Sequence, residues 1–110
     1  MSNVCKAFGM SDKDEQRKHL SQLELVEIFG DVCNGHPLHT WDEGCRFLKR
    51  CPECDALVLC QYSNFHHPTG EDVCYEDYFS VDSRDEAVEL NKKYDGFQLE
   101  KEYKGKKILL

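Results

Sequence analysis

Hydrophobic spacing along this chain changes period several times, and each change predicts an element. Leu25, Ile28, Phe29 and Val32 recur at i, i+3, i+4 and i+7, the spacing of one helix face. Ser21-Gln22-Leu23-Glu24 before them reads as a capping box, in which the serine hydroxyl accepts from the backbone N–H of Glu24, with Leu20 and Leu25 at the staple positions. A helix over 21–32 is therefore expected, with Gly30 near its stop. An earlier short helix is expected from Ser11-Asp12-Lys13-Asp14 through Lys18, either separate or fused to the second. Residues 1–10 show no period and are expected to pack loosely.

The pattern becomes strand-like from Cys45. Cys45–Arg50 and Ala56–Tyr62 are strand candidates, and the second is apolar at both parities, as a central strand is. In Val73–Val81 one parity carries Val73, Tyr75, Phe79 and Val81, interrupted by Asp77. Ser83-Arg84-Asp85-Glu86 is a second capping box, opening a helix with Ala87, Leu90 and Tyr94 on one side and Gly96 at its end. Phe97, Leu99, Lys101 and Tyr103 share a parity, which predicts a half-buried strand. Lys104-Gly105 then reads as a hairpin turn into an edge strand over 106–110. Loops are expected over 33–44, which holds two glycines and a proline, and over 63–72 around His66-His67-Pro68-Thr69-Gly70. The fold class that follows is α+β. One or two N-terminal helices precede a mainly antiparallel sheet of four or five strands, with a Cys-x-x-Cys hairpin and one late helix.

At 110 residues the chain has the size of one domain. Twenty-one acids against 14 bases give a net charge of −7, which disfavours a phosphate backbone and suits a basic partner. Between Glu71 and Glu89 there are eight acids and one base, Arg84, whereas six lysines and three acids follow from Leu90 onward. The acidic stretch is either a solvated face or a docking surface for a basic protein. No apolar run approaches the length of a membrane span, and the charged N-terminal residues hold no apolar core of a secretory signal. Seven cysteines, an odd number, cannot all pair in disulfides, so a reducing cytoplasmic setting is expected.

The chemistry concentrates at Cys51-Pro52-Glu53-Cys54-Asp55, between two strand candidates. Two thiolates two residues apart on a tight turn can hold one tetrahedral ion, while the turn aims backbone N–H groups at the sulfurs. The residue after the second cysteine needs a left-handed backbone. Asp55 stands there, one of the few types besides glycine that tolerates it. Over residues 45–62 this hairpin resembles the knuckle of a zinc ribbon or of a rubredoxin. The resemblance implies structural zinc rather than iron, because a rubredoxin site uses two Cys-x-x-Cys turns and the second is absent here. Cys33 and His36, spaced Cys-x-x-His, are the preferred further ligands beside Cys51 and Cys54, because fourteen residues separate His36 from Cys51. Cys74 with His66 or His67 is the alternative, and Cys45 and Cys60 read as core or surface thiols.

A thiol oxidoreductase using Cys51 and Cys54 is a competing reading. It would require a helix directly after the motif, where Ala56-Leu57-Val58-Leu59 has strand character. No nucleophile elbow, zinc-protease motif or phosphate-cradling loop is present, and no small-molecule substrate is evident. The function expected is non-catalytic protein binding, with a zinc knuckle as staple and neutralisation of a basic partner, by analogy with immunity proteins and antitoxins. A zinc-ribbon accessory that contacts nucleic acid inside a complex is the alternative.

Overall fold

The computed structural model describes residues 4–31, 42–66, 72–94 and 96–109. A 3₁₀ turn, Lys6–Gly9, and helix α1, Lys13–Leu20, lead into strands β1 (Glu24–Asp31), β2 (Asp42–Cys51), β3 (Ala56–His66) and β4 (Asp72–Val81). Helices α2 (Arg84–Lys93) and α3 (Gly96–Glu102) then precede a short last strand, β5 (Lys107–Leu109). The five strands form one antiparallel sheet in the order β1-β2-β3-β4-β5, so the fold is the α+β class expected. Among the described residues no helix is long and apolar enough to cross a membrane.

Both faces of the sheet are covered at its centre, which explains why β3 is apolar at both parities. Val58 and Cys60 on one face pack with Cys51, Tyr78 and Ile108 against Cys5, Ala7, Leu20 and Leu23 of the N-terminal segment. Leu59 on the other face packs with Leu48, Phe79 and Val81 against Ala87 of α2 and Leu99 of α3. Asp12 caps α1 by accepting from the backbone N–H groups of Asp14 and Glu15. At Ser83 the serine half of the expected capping box forms, its hydroxyl accepting from the Glu86 N–H, while Glu86 Oε1 accepts from the Asp82 N–H at 3.2 Å. Within the first ten residues, expected to pack loosely, Cys5 and Ala7 are fully buried.

Two elements differ from the sequence reading. The helix expected over 21–32 is instead strand β1. Its pairing with β2 slips by one residue between Leu25 and Glu27 and again between Ile28 and Gly30. Leu25 lies opposite Lys49 and Ile28 opposite Phe47, so residues three apart share a face. Two bulges have thus converted a period of two into a spacing of three that imitates a helix. Ser21 caps the end of α1 rather than opening a new helix, its hydroxyl donating to the Lys18 carbonyl at 2.6 Å. The second difference is the strand expected from Phe97 to Tyr103, which is helix α3. The Tyr103 N–H donates to the Leu99 carbonyl at 3.0 Å, placing two of the four alternating residues on one helical face. Gln98, Glu100, Lys101 and Glu102 are strong helix formers. Gly96 therefore opens α3 instead of ending α2. Lys104-Gly105 is therefore no hairpin turn but the link from α3 to β5, where a Cβ on Gly105 would stand 2.6 Å from the Tyr103 hydroxyl. Of the loops expected over 33–44 and 63–72, positions 33–41 and 67–71 lie outside the described residues, whereas 42–44, 63–66 and 72 are strand instead of loop. β2 begins at Asp42 and β3 runs on to His66.

A polar rung crosses the sheet beneath α2 and α3. Arg46, Gln61 and Asp77 are register partners on β2, β3 and β4, and all three are buried. Arg46 Nε donates to Gln61 Oε1 at 2.7 Å, and its Nη1 donates to the Asn91 and Tyr94 carbonyls at 3.2 and 2.6 Å. It thereby satisfies carbonyls at the C-terminal end of α2. Asp77 has one carboxyl oxygen, Oδ2, without a hydrogen-bond partner. Burial, together with the nearby charge of Glu100, pushes its carboxyl up from 3.8 to about 7, against the opposing effects of Gln61 and Lys107. The folded protein therefore keeps a proton that the unfolded chain releases. The contribution of Asp77 to stability is therefore greatest below 3.8, falls as the pH rises to about 7, and is level above that. Asp77→Asn is expected to flatten this slope in urea melts recorded across that range, and to exceed the parent at pH 8 by roughly 1–3 kcal/mol. An unchanged slope would assign the pH dependence to other groups.

Candidate metal centre

The hairpin between β2 and β3 forms as its sequence predicts. Asp55 has φ 54°, the left-handed region, and its N–H donates to the Cys51 carbonyl at 2.8 Å, closing the turn. Its carboxylate holds Arg50, with Arg50 Nη2 and Nε at 2.7 and 2.8 Å from Oδ1. The Cys54 N–H points at Cys51 Sγ, 3.3 Å away. Thiolates in such a turn receive backbone donors before any ion is considered. After the motif the chain enters β3 at Ala56, so no helix N-terminus faces the sulfurs.

Two further groups reach this hairpin from the N-terminal segment. Cys5 precedes the 3₁₀ turn, and His19 lies in the last turn of α1. The ligand atoms of Cys5, His19, Cys51 and Cys54 all lie within 4.8 Å of one another. His19 Nε2 is 3.3 Å from Cys51 Sγ and 3.9 Å from Cys54 Sγ. Around tetrahedral zinc, with Zn–S near 2.3 Å and Zn–N near 2.05 Å, a sulfur and a nitrogen stand about 3.6 Å apart. The two observed distances bracket that value, so His19 stands to Cys51 and Cys54 about as two ligands of one tetrahedral ion do. Cys5, His19 and Cys51 are buried and Cys54 is partly exposed.

Groups outside the four hold them in place. His19 Nδ1, the nitrogen turned away from the sulfurs, is 3.6 Å from Glu53 Oε2. Glu53 also pairs with Lys6, which holds its carboxyl below the usual range. A carboxylate behind a ligating imidazole fixes the tautomer that leaves the other nitrogen free for metal. The Lys6 N–H approaches Cys54 Sγ at 3.4 Å, and Gln16 Nε2 donates to the Ala7 carbonyl at 3.0 Å, tying the first turn to α1. Burial pushes the Cys5 thiol up to about 12, with neighbouring Cys51 and Cys54 adding to the rise. Burial raises Cys51 too, but the hydrogen bonds from Cys54 and Glu53 outweigh it, and the net shift is downward. Three sulfurs this close oppose one another's ionisation, and a divalent cation at their centre removes that opposition.

Cys51 and Cys54 are thus brought together as ligand candidates. Cys33, His36 and His67 lie outside the described residues. His66 and Cys74 belong to β3 and β4. Cys60, read as a core or surface thiol, is buried in the core. Cys5 and His19 were not singled out in the sequence, because they share no short motif and sit on separate elements. The available signal was the burial pattern of α1, where Gln16, His19 and Leu20 form its inward side. No protein-family model, curated protein or solved structure matches this chain.

Replacing Asp55 with valine, which resists a left-handed backbone, is expected to cost about 1–2 kcal/mol in a denaturant melt and to weaken metal binding. Asp55→Gly should stay within about 1 kcal/mol of the parent, losing only the exposed pairing with Arg50. Equal losses in both variants would show that the turn's backbone is not what matters.

Proposed function

We propose that this chain is a small non-catalytic binding domain stapled by one structural zinc ion, with Cys5, His19, Cys51 and Cys54 as its ligands. The observation that carries the reading is the convergence of three sulfurs and one imidazole nitrogen within a 4.8 Å span. Four protein donors complete a tetrahedral shell and leave no position for substrate, which is the mark of a structural site. Soft thiolates with an imidazole favour zinc over magnesium or calcium. Cys5 and His19 take the places that the sequence alone suggested for Cys33 and His36. The ion would join the N-terminal segment and α1 to the β2–β3 hairpin, at the end of the core they already share.

Purified under reducing conditions with zinc present, the protein is expected to hold one equivalent by atomic emission. Cys5→Ser, His19→Ala and Cys51→Ser should each lose it, whereas Cys45→Ser should retain it. Chelation should lower the melting temperature by about 10 °C or more. A metal-free protein with the parent's melting temperature would sink the staple, and retention of zinc in both Cys5→Ser and His19→Ala would return the search to Cys33 and His36.

The binding function rests on charge. In a chain of net charge −7, Asp82, Asp85 and Glu89 are exposed around the start of α2, and Glu86 is half-buried beside them. Such a surface suits a basic protein, in the manner of an inhibitor that masks a cationic active surface. Capture of basic proteins from the native host at about 50 mM salt should weaken at about 300 mM. It should be abolished by the triple change D82K, D85K and E89K. The same proteins bound by the triple variant would overturn this assignment.

A further inference from the structure

Beside the metal centre, but facing away from it, α1 forms one wall of a second recess. Arg17 and Leu20 of the helix face Lys49 of β2, Tyr62 of β3, and Glu76 and Tyr78 of β4 around a cavity of about 240 Å³. That is the space of about eight waters. Its floor is apolar and aromatic, since Leu20 and Tyr78 are 4% and 5% exposed. Its rim is cationic. Among the described residues neither Arg17 nor Lys49 makes an ion pair, although acids outnumber bases three to two in the whole chain. Lys49 Nζ instead lies 5.9 and 5.6 Å from the ring centroids of Phe47 and Tyr62, and 3.4 Å from the Tyr62 hydroxyl. Glu76, the one acid among the described residues of the recess, is turned to the Tyr78 hydroxyl, with Oε2 at 3.4 Å.

We infer that this recess binds a small aromatic oxyanion, an aryl carboxylate or aryl phosphate. Arg17 can meet the oxyanion with a planar fork and Lys49 with a point charge. The Tyr62 hydroxyl, which accepts from Lys49, stands near as a further donor. The ring of the ligand covers Leu20 and lies beside Tyr62, in the kind of pocket where apolar walls supply contact and a few polar groups fix orientation. A bare metal cation would meet two like charges against one carboxylate. A long apolar chain would leave both cations desolvated and unpaired, which is costly. The inference goes beyond the binding domain proposed above: the recess is on the opposite side of the sheet from α2 and uses none of the four metal ligands.

The test is a titration of the ¹⁵N-labelled, zinc-supplemented protein with phenyl phosphate, benzoate and inorganic phosphate in parallel. Saturable shifts at the backbone amides of Arg17, Lys49, Tyr62 and Tyr78 are expected with at least one aryl ligand. That ligand should bind at least fivefold more tightly than inorganic phosphate, and comparison of phenyl phosphate with benzoate identifies the preferred oxyanion. The double change R17Q and K49M, both at solvent-accessible positions, should weaken binding at least tenfold while leaving the spectrum otherwise folded. E76Q should tighten it about two- to threefold by removing the nearby like charge. No saturation by either aryl ligand up to millimolar concentration, or equal affinity in the double variant, would overturn the site. Inorganic phosphate binding as tightly as the aryl compounds would overturn the aromatic part of the assignment. Repeating the titration on the Cys51→Ser protein separates the two sites: binding retained without metal leaves this inference standing even if the zinc reading fails.

Discussion

The meeting of three sulfurs and an imidazole at the end of the β2–β3 hairpin is the constraint on which one side of the molecule depends. None of the four is close to all the others in sequence, yet each arrives on an element with its own reason to be where it is. A left-handed Asp55 shapes the turn that presents two of them. The Asp12 cap fixes the start of the helix that carries the third, and a 3₁₀ turn tied by Gln16 places the fourth. Glu53 then reaches both Lys6 and His19, so the three segments are linked even through groups that are not ligands. A buried cluster of this kind is poorly suited to plain packing. Thiols and an imidazole offer less apolar contact than leucines would, and their mutual repulsion when ionised needs an opposing positive charge.

The other face of the sheet is organised by a different compromise. Arg46 is fully buried, and it spends its guanidinium on Gln61 and on the carbonyl end of α2. This lets α2 end at Lys93 and α3 begin at Gly96 with the Asn91 and Tyr94 carbonyls bonded against the sheet. Asp77 completes the rung at its far side. Its carboxyl is matched to this environment only when neutral, which couples the packing of α2 and α3 to proton uptake. The two faces thus answer one problem, how to fix short helices on a sheet, by different chemistry: soft ligands on one side and a buried guanidinium on the other.

Much of this architecture was legible in the sequence where local signals and tertiary needs agree. The caps before α1 and α2, the doubly apolar β3 and the left-handed position at Asp55 all follow from residue type and spacing. The misreadings have specific causes. The bulges of β1 space Leu25 and Ile28 three apart, and no window of sequence distinguishes that from a helix turn. In α3 the parity of Phe97, Leu99, Lys101 and Tyr103 suggested a strand, although the residues between them favour helix and Leu99 with Tyr103 lie one turn apart. Half of the candidate metal centre was visible as Cys51 and Cys54, because their spacing is itself the chelating motif. Cys5 and His19 become neighbours of that turn only through the docking of α1 on the sheet, which is a tertiary event with no short-range signature.

The meander topology has a consequence for the order in which the molecule assembles. β2 and β3 are joined by four residues, and every pairing from β1 to β4 is between strands adjacent in sequence. Closing such short loops costs little chain entropy, so these hairpins form early. His19 and Cys51 are 32 positions apart, and Lys6 and Cys54 are 48. In that order the N-terminal segment reaches the hairpin last. With the ligands proposed above, Cys51 and Cys54 would capture an ion on a finished turn and hold it while Cys5 and His19 arrive. Ion capture would thus begin before the site is built, and the arrival of the chain's first residues would be the step that closes the fold.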